Sequence, residues 1–137
     1  MDYRAWAILS ALFAGLTAVL AKKGVEDVSS NLALAIRVLV VAAAAWAIVV
    51  ARQEATFTGI SQKTWIYLTL SGLATGASWL CYFRALKSGP VSQVAPIDKL
   101  SFVVAVILGF VVLKEKVSTN TIYGCALIVA GVAVTLR

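Results

Sequence analysis

The 137-residue chain is 61% hydrophobic and 13% charged, a composition outside that of a water-soluble domain. So much apolar surface cannot be buried by so small a domain, which makes lipid the solvent that suits it. The net charge of +6 is carried by Lys and Arg scattered singly or in pairs between apolar runs, never as a basic stripe, so it marks membrane flanks and speaks against a nucleic-acid partner.

In chain order, five apolar segments are set apart by charged or turn-forming residues: residues 5–21, 32–51, 64–86, 91–113 and 117–136. A helix rises about 1.5 Å per residue and a hydrocarbon core of roughly 30 Å needs about 20 residues, so each segment predicts a membrane-crossing helix, the first and last being short. Tyr3 and Trp6 open the first segment as interfacial anchors, and Ala11 and Gly15 give it a small-residue pair. Lys22 and Lys23 follow it directly with no small-residue cleavage site, so it is expected to be a retained helix rather than a removable signal peptide. The second segment carries Arg37 in its first half.

Trp65 and Tyr67 open the third segment, Gly72 and Gly76 form a GxxxG pair within it, and Tyr82 and Arg84 lie near its end, where Arg84 is placed to snorkel to the headgroups. Ser88-Gly89-Pro90 makes a tight break, with Pro90 suited to the first turn of the next helix. The fourth segment holds Gln93, Pro96, Asp98, Lys99 and Ser101, then Ala105 and Gly109 on the Ser101 face. After the solvated turn Lys114-Glu115-Lys116, the fifth segment contains Tyr123 and the glycines Gly124 and Gly131, flanking Ala126 and Ala130 as a candidate subunit or intrachain packing face. All connections are too short to hide an extramembrane domain. The expected fold is therefore an all-α integral membrane protein, one five-helix transmembrane domain over residues 1–137.

The sequence contains no His, which excludes imidazole proton relays and His metal sites. Cys81 and Cys125 lie inside apolar segments without CxxC spacing, so no redox role, metal or cofactor is implied. With five crossings, Arg4, Arg52, Lys63, Lys114 and Lys116 fall on the N-terminal side and Lys22, Lys23, Arg84, Lys87 and Arg137 on the other. The balance assigns no orientation. Three explanations stand: insertion in both orientations, a partner subunit that sets the orientation, or the weak bias common in small membrane proteins.

Arg37, Asp98 and Lys99 are the ionisable residues placed well inside apolar segments. Such charges cost roughly 2.5–3.5 kcal/mol each near the bilayer centre, so they are expected to face inward, towards a partner or a water-filled cavity. Arg37 lies five residues past Leu32 and Asp98 seven past Val91, on helices that start from the same side; their depths then differ by about 3 Å, and an Arg37–Asp98 ion pair or shared pocket is expected. Lys99, about 100° round the helix from Asp98, is free to line a cavity alone. Pro96 withdraws the helical donor from the carbonyl of Ser92 and predicts a kink beside these charges, an arrangement found at transporter substrate sites. Two cations against one Asp point to an anionic or zwitterionic small molecule, with Tyr82, Gln93 and Ser101 offering neutral hydrogen bonds. The competing reading is an ion network that only fixes helix register.

The run Gly72 to Leu136, GLATGASWLCYFRALKSGPVSQVAPIDKLSFVVAVILGFVVLKEKVSTNTIYGCALIVAGVAVTL, resembles the EamA-type repeat of the drug/metabolite transporter superfamily. The correspondence runs through an aromatic-rich helix ending in YFRAL, a short turn, VAP in the next helix, LKE at its end, and a closing helix with two glycines. The first half, with Lys22, Lys23 and Arg37 around a short loop, fits the repeat more loosely. Larger members of that family carry two such repeats in opposite orientations. The resemblance therefore implies a ten-helix inverted dimer, made with a second copy or a paralogous subunit, that moves small metabolites or drugs by alternating access across the cell membrane, the inner one in a bacterium. The chain is more distantly similar to the small multidrug resistance proteins, but residues 5–21 lack the glutamate that their first helix carries. A non-transporting membrane scaffold is the alternative, and a membrane enzyme is disfavoured because no nucleophile and base form a recognisable pair.

Overall fold

The computed structural model describes residues 2–137, and no strand occurs among them. The helices are α1 (Tyr3–Gly24), α2 (Ser30–Ala51), α3 (Gln62–Ser88), α4 (Val91–Asp98), α5 (Leu100–Val112) and α6 (Thr119–Thr135). With α4 and α5 taken as two halves of one interrupted rod, the order is that of the five predicted segments. Among the described residues, α1, α2 and Val91–Val112 are long and apolar enough to cross a membrane; α6 is a shorter apolar helix. The longest, α3, has 27 residues diluted by Gln62, Lys63, Arg84, Lys87 and several hydroxyls.

Local chemistry fixes the helix ends. Lys22 and Lys23 continue α1 beyond the predicted residue 21, since lysine forms helix well and its charge suits the negative C-terminal end. Serines start three helices: Ser29 Oγ accepts from the Leu32 N–H at 3.2 Å, Ser61 Oγ from Thr64 at 3.1 Å and Ser118 Oγ from Thr121 at 3.2 Å. Helix α3 thus begins two residues earlier than expected, and α6 two later. Helix α2 ends in a Schellman motif built on a non-glycine residue. Gln53 sits at φ 56° while its N–H reaches the Val50 carbonyl at 3.0 Å and the Glu54 N–H reaches Val49 at 2.9 Å.

The helices sort into two compact units, one comprising the chain to Val19 with Gly89–Arg137, the other Leu20–Ser88. In the first unit, α6 packs against both α4 and α5. In the second, α2 packs along α3 around Val25, Leu34, Phe83 and Leu86, the last fully buried. Among the described residues, Ala18 and Val132 complete the list of buried apolar side chains. Meanwhile Leu12, Leu39 and Leu127 are 67%, 71% and 73% exposed. Side chains like these belong against lipid or a partner, because in water they would form a continuous apolar surface.

Candidate functional site

In the unit that contains the C-terminus, the site is the interruption between α4 and α5. Pro96 has no N–H to return to the Ser92 carbonyl, and three residues later, at Lys99 (φ −69°, ψ −12°), the helix tightens for one turn and separates α4 from α5. Around Lys99 the bonding tightens from i→i−4 to i→i−3: the Lys99 N–H reaches Pro96 at 3.0 Å, and the Phe102 N–H reaches Lys99 at 3.1 Å. The helix expected over residues 91–113 is thus a single span over Val91–Val112, divided into α4 and α5 by the tightened turn at Lys99.

Adjacent helical side chains normally diverge, but the long Lys99 side chain reaches back so that its Nζ meets Asp98 Oδ2 at 3.4 Å, and Lys99 does not stand alone as the sequence suggested. The ammonium also lies 5.5 Å from the centroid of Phe102. The two charged side chains are 36% and 41% exposed, Asp98 the lower. An adjacent pair this open gains little from its own attraction, so both charges retain free capacity for a polar ligand. Gln93 and Ser101, on either side of the break, are exposed, and Pro96 is half-buried.

In the unit Leu20–Ser88, Arg37 is half-buried with its guanidinium carbon 4.5 Å from the ring centroid of Trp79 and 5.5 Å from that of Phe83. Trp79 and Phe83 are one turn apart on α3, so a single α2 side chain lies across both rings. A cation–π contact is worth about 0.5–1 kcal/mol when exposed and about 2 when desolvated, so two rings offset much of the roughly 2.5–3.5 kcal/mol cost of an arginine at this depth. The sequence reading missed Trp79 and Phe83; their one-turn spacing in an apolar helix was the available signal. Tyr82, between them in sequence, is half-buried.

The small residues expected at packing faces have varied surroundings. Beside Gly72 and Gly76, nothing else in their unit comes within 4 Å of where a Cβ would stand, and the same is true of Gly124 and Gly131 in theirs. Their faces are therefore open within each unit. Gly109 lies against the Glu115 carboxylate, whose Oε2 would be 3.2 Å from an added Cβ, so from its exposed turn that side chain reaches back over α5. Ala105 is exposed.

A rod interrupted beside an exposed ion pair, a second cation held on aromatic rings, and apolar helices turned outward together define a multi-pass membrane protein. The model of the EamA-like transporter family matches residues 4–137. A protein of Sinorhizobium sp. named "Uncharacterized transporter in cobO 3'region" is 50% identical over 131 residues, covering 95% of this chain and 93% of its own length. The chain belongs to the EamA-like transporter family. No solved structure matches it.

Proposed function

We propose that the chain is an alternating-access transporter of small metabolites or drugs, assembled as an antiparallel dimer with a second copy or a paralogue in the cell membrane. The observation that carries this reading is the interruption at Lys99. Breaking a membrane rod frees backbone groups and exposes charge, both costly in lipid and tolerated where the backbone lines a cavity. The family and the relative's name support transport as the activity.

In this reading Asp98 and Lys99 contact the substrate, while Gln93, Ser101 and Tyr82 supply neutral hydrogen bonds. The surplus of cations favours an anionic or zwitterionic solute. The open faces at Gly72, Gly76, Gly124 and Gly131 suit close approach of the partner's helices.

The test is reconstitution into liposomes with a mixed panel of small acids, zwitterions, amines and neutral metabolites, followed by mass analysis of the lumen. At least one solute should enter faster than in protein-free liposomes, and Lys99→Ala should abolish that excess. No excess for any solute would leave the scaffold reading in its place.

A further inference from the structure

We propose that Arg37, backed by Trp79 and Phe83, is the anchor for an oxyanion of the transported solute, a carboxylate or a phosphate; this rests on the chain's being a transporter. The guanidinium is planar. The aromatic contacts engage the π-systems of Trp79 and Phe83 at 4.5 and 5.5 Å, and within Leu20–Ser88 no acceptor takes its N–H donors. A guanidinium held over ring faces keeps N–H donors to offer, and its fork matches ligands with two coplanar or near-coplanar acceptor oxygens.

The lysines around the α1–α2 connection in the same unit are already committed. Lys87 Nζ donates to the carbonyls of Val25, Glu26 and Val28; Lys22 Nζ donates to that of Leu86; Lys23 pairs with Glu26. Each of these lies at a helix end, whereas Arg37 stands two turns inside α2. A cation meant only to fix packing would be expected to spend its donors on a carboxylate or carbonyl of its neighbours. This one is positioned by contacts that leave its donors unused, which is the preorganisation a binding group needs.

Trp79 reports on the site directly. With Trp6, Trp46 and Trp65 replaced by Phe, its fluorescence is read in nanodiscs of phosphatidylcholine while benzoate, inorganic phosphate or the neutral isostere benzamide is added. Titration calorimetry on the otherwise unchanged chain asks the same question without those replacements. At least one of the two anions should give a saturable response and benzamide none. Arg37→Lys, which keeps the charge but loses the fork, should weaken binding by about tenfold, and Arg37→Gln should remove it.

Failure of both anions in both measurements, or equal binding by Arg37→Gln, overturns the anchor. Suppression of the response in nanodiscs containing phosphatidylglycerol would make a lipid headgroup the occupant and also overturns it. Uptake measured in parallel separates the two claims. Anion binding without movement of any solute keeps the anchor and sinks transport, while movement of a solute without anion binding does the reverse.

Discussion

The ammonium nitrogen of Lys87 stands 2.6 Å from the carbonyl oxygen of Val25, and the same nitrogen reaches Glu26 at 2.8 Å and Val28 at 3.1 Å. These carbonyls belong to the short connection after α1, where no following helix turn supplies N–H donors. Lys22 reciprocates from the last turn of α1 by donating to the Leu86 carbonyl near the end of α3 at 2.7 Å. Two lysines thus tie the ends of α1 and α3 and the connection between α1 and α2 by charge-assisted bonds. Leu86 and Val25, whose carbonyls accept two of these bonds, are also the most buried side chains in the unit.

Lys87→Met is expected to destabilise the protein by about 1–2 kcal/mol, at or below the low end of the range for charged hydrogen bonds because Lys87 is exposed and water takes over part of the loss. Lys87→Arg should recover part of it. The measurement is thermal unfolding in detergent; an unchanged midpoint for Lys87→Met would show that the three carbonyls need no ammonium.

Gln53 gives a prediction of opposite sign. At φ 56° it holds a left-handed conformation that costs a residue with a Cβ about 1 kcal/mol relative to glycine. Gln53→Gly should therefore stabilise by up to about 1 kcal/mol, and Gln53→Val should destabilise by at least as much, because a β-branched side chain resists that backbone. Equal unfolding midpoints for the two variants would rule out the cap as the cause.

Pro96→Ala separates stability from activity. Restoring the N–H gives the Ser92 carbonyl its helical donor, so the variant should gain about 1–3 kcal/mol in stability while losing uptake in reconstituted liposomes. Retained uptake alongside higher stability would mean that the interruption serves packing rather than passage.

The five apolar segments were legible because a membrane helix needs only length and hydrophobicity, and Asp98, Lys99 and Arg37 stood out because charge is rare in such runs. The serine caps Ser61 and Ser118 also stand in the sequence, but apolar segment boundaries do not see a cap. Lys99's reach to Asp98 was not legible, because ideal helix geometry separates adjacent residues and says nothing of where a long flexible side chain will lie. Nor were the aromatic contacts of Arg37, since a lone arginine in an apolar helix suggests an acidic partner before it suggests rings. Lys87 read as an interfacial charge; its role depends on carbonyls sixty residues earlier, a pairing that no local pattern encodes.

The claim on which the account turns is that the break between α4 and α5 borders water within the membrane. In a background of Cys81→Ala and Cys125→Ala, single cysteines at Ser101 beside the break, Leu39 on an outward apolar face and Glu54 in a connection are treated with a membrane-impermeant thiol reagent. Ser101→Cys should label nearly as fast as Glu54→Cys, while Leu39→Cys stays protected by lipid. Protection of Ser101→Cys to the same degree as Leu39→Cys would contradict the account and leave a sealed helical bundle.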